Sequence, residues 1–214
     1  MVGQGVLREC LLDPGVEAVL TVGRSSTGQK NEKLRELIHK DLLDFSSIEP
    51  ELSGYDACFF CLGITSAGTL EAEYERITYS VPVAAAQTLV KLNRGMTFVH
   101  ISGSGADSSG TSRAMWARVK GKAENALLEM PFKAVYIFRP GYIQPLHGIR
   151  SRTGWYNAMY AVMAPLYPLW KALGPGYVTN TEILGRAMIV VARQSPAKRV
   201  LDSRDINQIG SPAR

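Results

Sequence analysis

The sequence is poor in cysteine and histidine and has no long unbroken apolar run, and each shortage removes a class of protein. Three cysteines in 214 residues make no disulfide framework. With no charged-then-apolar secretory leader, that predicts a reducing cytoplasm. The three histidines, His39, His100 and His147, have no partner at ligand spacing, and no second Cys-x-x-Cys completes a zinc shell, so no metal site is expected. Cys58-Phe59-Phe60-Cys61 lies inside the apolar run from Ala57 to Leu62, whereas a redox pair needs a helix N-terminus to stabilise its thiolate; these read as buried strand cysteines. His100 alternates out of an apolar strand. Net charge is +5 with a pI of about 9.2, yet the basic residues are scattered, which argues against a nucleic-acid partner and leaves a basic pocket for phosphates. The apolar, aromatic stretch 154–173 is interrupted by Asn157, Pro165 and Pro168 and carries Lys171 near its end. A membrane span is therefore not expected there, and surface association through it stays open. Internal repeats and low-complexity segments are absent.

What is present, 46% hydrophobic and 20% charged residues, describes one soluble globular domain over residues 1–214. The chain opens with an apolar helical pattern, Val6, Leu7, Cys10 and Leu11, ended by Asp13-Pro14-Gly15. Val16 to Val22 reads as a buried strand ending in Gly23-Arg24-Ser25-Ser26. Asn31 to Leu43 fits a helix through Leu34, Leu37 and Ile38, or a short strand from Leu37 to Leu42 ending at Asp41. Ser46 is placed as the cap of a short helix through Leu52. Asp56 to Leu62 makes a third strand with Gly63 beyond it, and Glu71 to Asn93 a long helix interrupted or kinked at Pro82. A strand at Phe98–Ile101, a helix to about Glu129 and a strand from Ala134 to Phe138 follow, the last stopping at Arg139-Pro140-Gly141. Residues 142–214, with a helix from about Thr181 to Arg193, form a helical cap on the substrate side. Alternating helices and wholly apolar strands predict an α/β fold, a doubly wound parallel sheet covered on both faces. Such sheets bind ligands beyond the carboxyl ends of their strands, where Arg24, Asp41, Gly63, Ser102 and Arg139 fall.

The stretch from Phe98 to Lys122 is the likeliest place for chemistry on sequence grounds. There a strand runs into Ser102-Gly103-Ser104-Gly105, then into Ser/Thr residues from Ser108 to Ser112 that supply caps for the next helix. On that helix Trp116 and Lys120 are four apart, share a face and can point back to the serines. Taken alone they would be a packing aromatic and a solvated charge.

A serine at a strand end followed by aromatic-x-x-x-Lys resembles the active site of the short-chain dehydrogenase/reductase family, closest to its atypical and extended, epimerase-like branch, which includes the Tat-interacting-protein oxidoreductases. The resemblance covers residues 1 to 145 and implies a Rossmann-like fold that binds a nicotinamide dinucleotide. Gly3 resembles the third glycine of the family's Gly-x-x-Gly-x-x-Gly turn. Arg24, with Ser25 beside it, occupies the place where an arginine accommodates a 2′-phosphate, implying NADP with NAD as the alternative. Asp41 takes the place of the acid that meets the adenine, or is a cap. Gly63, with Leu62 packing nearby, would let backbone approach the ribose, or is an ordinary turn glycine. Arg139, Pro140 and Gly141 would shape the wall around the nicotinamide. The resemblance assigns Lys120 to the ribose and Ser102 or Ser104 to the substrate oxygen, and Trp116 stands where the family has its tyrosine acid/base. An indole donates a hydrogen bond but cannot titrate near neutrality. His147 and Tyr142 are further candidates for the proton.

The implied function is an oxidoreductase or epimerase-like enzyme acting on a small carbonyl or hydroxyl substrate. Its alternative is a dinucleotide-binding sensor or interaction protein that lost catalysis with the tyrosine. The family's first strand and first two glycines have no counterpart before Gly3, so the sequence is expected to be a truncated form.

Overall fold

The computed structural model describes residues 1–149 and 176–211. They fall into two compact units, one built from 1–40, 140–149, 176–193 and 202–211, the other from 41–139 and 194–201. The stretch 154–173, where surface association was left open, lies outside the described residues.

In the first unit, helix α1 (Val2–Leu12) buries Gly5, Val6, Leu7, Glu9 and Cys10. It stops where expected: Asp13 leaves helical geometry and its carboxylate accepts the Gly15 amide at 2.8 Å. Strands β1 (Val19–Gly23) and β2 (Leu34–Ile38) run parallel, with Val19 opposite Leu34 and Gly23 opposite Ile38. The segment 31–43 thus contains a strand, three residues earlier than Leu37 to Leu42. The apolar residues Leu34 and Leu37 are half-buried, and Arg35 and Ile38 are exposed, so neither period is clean in the sequence. β1 is half-buried throughout, not the buried strand expected. The same unit holds β6 (Tyr142–Gln144) paired in parallel with β7 (Val178–Asn180), then α5 (Thr181–Gln194) and α6 (Ser203–Gly210).

The second unit is organised on the sheet β3-β4-β5-β8, whose strands are Ala57–Phe60, Thr97–Ile101, Ala134–Arg139 and Val200–Asp202. β3, β4 and β5 are parallel. Phe98, Val99, Tyr136, Ile137 and Phe138 have no exposed surface, and each such side chain contributes about 1.5–3 kcal/mol by burial. With both faces covered there is no outward side to β4. His100, read as alternating out of the strand, is accordingly buried against Phe60, ring centroids 5.7 Å apart. Cys61 falls one residue past β3 and is half-buried, as is Cys58. Desolvation pushes the Cys58 thiol up to about 12, the opposite of a reactive redox thiol.

Glu71–Leu92 is helical without a break, but its middle, Arg76–Ser80, is a π turn between α2 (Glu71–Glu75) and α3 (Val81–Leu92). The irregularity therefore precedes Pro82. The proline ring has no N–H to give and crowds the carbonyl four residues back, at Thr78, and a widened turn relieves both. Ser46 does not cap its helix. Ser46–Leu52 is a 3-10 helix with Phe45 at its N-cap, and Asp44 accepts the Ser46 amide at 2.9 Å. Among the described residues no helix is long and apolar enough to cross a membrane.

Candidate functional site

Parallel register sets the ends of β4 and β5 level, Ile101 opposite Phe138, and the ladder continues one residue further as Ser102 N donates to Phe138 O at 2.8 Å. Ser102 and Arg139 thereby emerge side by side at the carboxyl edge. The loop that follows is held on Asp107, whose carboxylate accepts the Ser109 amide at 2.9 Å, the Ser109 hydroxyl at 2.6 Å and the Ser112 amide at 2.6 Å. The Ser109 hydroxyl bond, foremost, holds the Asp107 carboxyl below its usual range. Helix α4 (Met115–Leu128) has Ala114 at its N-cap and no side-chain cap. The Ser/Thr cluster therefore folds onto Asp107 and does not cap the helix. The loop lies directly on α4: a Cβ on Gly121 would stand 1.8 Å from Asp107 O, so only glycine permits the contact.

Two residues one turn apart on α4 grip Ser102. Lys120 Nζ donates to its carbonyl at 2.9 Å, and its hydroxyl donates to Glu124 in a very short hydrogen bond. Glu124 is fully buried and also receives Arg139, through Nε at 3.1 and 3.0 Å and through a short Nη2 contact. Arg139 Nη2 continues to Ser108 Oγ at 2.7 Å. Sequence reading missed Glu124. Its one signal was position, four residues beyond Lys120 on the same helical face. The expected substrate hydroxyl of Ser102 is thus committed to a carboxylate, and Arg139 holds that carboxylate. Ser104 is exposed in the turn.

Lys120 lies over bare main chain, since a Cβ built on Gly103 would come 3.2 Å from Nζ. Burial lowers the Lys120 pKa, and Glu124 partly opposes the shift. Burial, and secondly the Lys120 charge, push His100 down to about 3, and its buried Nδ1 has no hydrogen-bond partner among the described residues. Trp116 is half-buried with its ring against Gly105, whose φ is +86° and whose built Cβ would meet Cη2 at 2.9 Å. In this unit Leu62 is half-buried and Gly63 exposed, with nothing within 4 Å of an added Cβ. Asp41 is exposed and accepts the Leu43 amide at 3.0 Å, the local turn role left open for it.

In the first unit Arg24 and Ser25 are exposed just past β1, and the loop beyond them is fastened to β2, with Ser26 Oγ and Thr27 N donating to Glu36 at 2.6 and 2.7 Å. Gly3 is exposed in the first turn of α1, where Met1 provides no side-chain cap and no acid is present. The glycine that packs tightly there is Gly5, 2.6 Å from Thr181 Cβ if given a Cβ of its own. Pro140 is buried. Gly141 donates its amide to Ser203 Oγ at 2.9 Å, and its built Cβ would come 2.4 Å from Tyr177 O. His147, at φ +57°, bonds Glu182 through Nε2 at 2.8 Å, and Tyr142 donates to Gln144 Oε1 at 2.7 Å. Both candidate proton carriers are thus engaged locally.

No family model matches the chain. Protein FMP52-2, mitochondrial, of Scheffersomyces stipitis is 35% identical over 129 residues, 59% of this chain and 55% of that protein. The chain thus spans about half the length of this relative. Protein HTATIP2 of Rattus norvegicus is 27% identical over 213 residues, 97% of this chain and 84% of that protein. Among solved structures, MoeE5 in complex with UDP-glucuronic acid and NAD superposes with a TM-score of 0.67 at 15% identity, covering 98% of this chain and 77% of that one. A UDP-galactose 4-epimerase does so with 0.63 at 14%, covering 97% and 78%. The chain has the Rossmann-like α/β fold of these solved structures. By sequence it resembles the Tat-interacting protein and the FMP52 proteins. The cytoplasmic expectation is overturned, because the FMP52 relatives are named mitochondrial. Three cysteines that make no disulfide framework argue only against an oxidising compartment, and do not separate cytoplasm from an organelle.

Proposed function

We propose that the chain is a dinucleotide-binding oxidoreductase or epimerase-like enzyme for a small carbonyl or hydroxyl substrate, with NADP preferred over NAD. The observation that carries this reading is Lys120, half-buried on α4 and bonded to Ser102 O just past the carboxyl end of β4. An ammonium has three donors, and one is spent among the described residues, which leaves two N–H groups for ribose hydroxyls. The first-turn amides of α1 lack a side-chain cap and an acid, which suits a pyrophosphate. Arg24 is exposed and has no ion pair among the described residues, which suits a 2′-phosphate. Gly63 has open space over it. The dinucleotide would supply hydride; Lys120 would fix its ribose, with Glu124 and Arg139 keeping the Ser102 carbonyl in place beneath the amine. The relatives named mitochondrial support a mitochondrial location.

The second reading, a binding protein without turnover, is favoured by Trp116 at the tyrosine position and by the Ser102 hydroxyl bonded to Glu124. Thermal unfolding with NADP and with NAD tests both readings. Ligand at a hundred times its dissociation constant stabilises by about 2.7 kcal/mol. Protection by neither sinks dinucleotide binding, and equal protection by both sinks the NADP preference. Turnover gained only by Trp116→Tyr would select the second reading.

A further inference from the structure

The enzyme reading leaves the substrate oxygen without a proton partner, and the candidate groups can be taken one by one. Trp116 does not titrate. The Ser102 hydroxyl is donated to Glu124, a carboxylate held by Arg139. His147 is bonded to Glu182, and Tyr142 to Gln144. His100 is buried and stays neutral down to about 3, so it carries no proton to give at physiological pH. Lys120 remains. Its amine stands over the bare main chain of Gly103, and among the described residues only one of its donors is spent.

We infer that Lys120 itself, and not a hydroxyl or an imidazole, gives the substrate oxygen its proton and takes it back in the reverse direction. This rests on the oxidoreductase reading above. In the reducing direction the hydride supplied by the reduced dinucleotide forms the new C–H bond at the carbonyl carbon. The carbonyl π pair then closes on a proton from Nζ to form O–H. Substrate is reduced, dinucleotide is oxidised, and the neutral amine regains its proton from solvent. The surroundings suit the role. On its own helix Lys120 faces Glu124, which favours the ammonium; from β4 it faces neutral His100; Arg139 of β5 is turned to Glu124. Arg118 and Lys122, half a turn away on α4, pair with Glu71 and Glu75. Burial brings the amine's pKa down from its ordinary value, towards the range in which it can both hold and release a proton.

Lys120→Arg separates this role from ribose binding, because a guanidinium keeps charge and donors but does not release a proton. With NADPH and either phenanthrenequinone or nitrobenzaldehyde as probe, the wild type should turn over, with kcat falling as pH rises through the pKa of Lys120. In Lys120→Arg, protection by NADP should persist within a few fold while kcat falls by about 10²–10⁴. An independent readout without cofactor is nitrogen-15 NMR of the lysine ammonium groups, with Lys120 assigned from the Lys120→Arg spectrum. Its titration should lie below that of the other lysines and match the kinetic limb. Turnover retained in Lys120→Arg, an ordinary Lys120 titration, or a wild type that binds NADP without turning over either probe would each overturn the inference. Absence of protection by both dinucleotides would instead remove the reading on which it rests.

Discussion

Among the described residues each unit contains one buried carboxylate, and the two are satisfied in different ways. Glu124 is wholly buried and draws its charge partner from another element, Arg139 at the end of β5, with Ser102 and Ser108 completing its shell. Glu9, 4% exposed on α1, has two arginines, its chain neighbour Arg8 and Arg186 of α5, which are 33% and 40% exposed. Glu9 therefore keeps a cation when either arginine is lost. Glu124 has one ion pair among the described residues, to Arg139, with Lys120 acting on it only at longer range, and its network ends on the carbonyl beneath Lys120. The lesson is that a buried charge is structurally fragile in proportion to how few partners it has, and the fragile one is at the candidate site.

The largest expected effect breaks that comparison directly. Arg139→Ala takes its ion-pair partner from buried Glu124 and should cost about 3–5 kcal/mol. Arg186→Ala leaves Arg8 on Glu9 and should cost only about 1–2 kcal/mol. Urea unfolding of the two variants checks this, and a loss at Arg139 no larger than at Arg186 would refute the contrast. Next in size, Arg24→Ala should weaken NADP by about 1.5–3 kcal/mol per charge-assisted bond and leave NAD nearly unchanged. A uniform loss for both, measured by calorimetry, would give Arg24 a structural role.

Legibility follows the same division. β4, β5 and α4 could be read because their apolar runs are unbroken and the aromatic-x-x-x-Lys pair sits at a strand-to-helix transition. Strand β2 begins three residues before Leu37, a start the sequence does not mark because Leu34, Leu37 and Ile38 fit a helical and a strand period alike, and a half-exposed strand supplies no alternation to decide between them. The Glu124 network could not be read. A glutamate on an amphipathic helix is by default solvated, and only tertiary approach of Ser102 and Arg139 makes it internal. Gly121 is silent for the same reason, since its necessity lies in the Asp107 carbonyl pressed against it. His147 held a place as a proton carrier by proximity in sequence, and Glu182 took it.

A pH experiment sharpens the contrast between buried and exposed ionisation. His100 is 2% exposed and its pKa is pushed down to about 3, against about 6.5 in an unfolded chain. The stability it contributes is fully present above 6.5 and is lost as pH falls towards 3, because the unfolded chain then binds a proton that the folded one refuses. Between pH 7 and pH 5 this amounts to about 2 kcal/mol. His100→Phe, packing against Phe60 without a titrating group, should remove that part of the acid sensitivity. Identical acid losses in variant and wild type would mean that His100 is protonated in the folded protein.

The smallest effect is expected on the other face of the helix that carries Glu124. Lys122 Nζ meets Glu75 at 2.6 Å and stands 4.4 Å from the centre of the Tyr79 ring, and Arg118 meets Glu71 at 3.2 Å. By distance alone these pairs look as strong as those of Arg139. Lys122 and Glu75 are, however, 55% and 37% exposed, and Glu71 is 58% exposed. Water and salt screen such pairs, and long side chains lose rotamer freedom in making them, so each exposed pair is worth about 0.2–1 kcal/mol. The hydrogen bond from Lys122 to Glu75, foremost, raises the lysine's pKa, so what the pair contributes is present at neutral pH and lost as pH rises through that raised value. Lys122→Ala should therefore shift the urea midpoint slightly at low salt and not measurably at high salt. If it cost as much as Arg139→Ala, or kept its effect in high salt, exposure would not be what separates the two faces of α4.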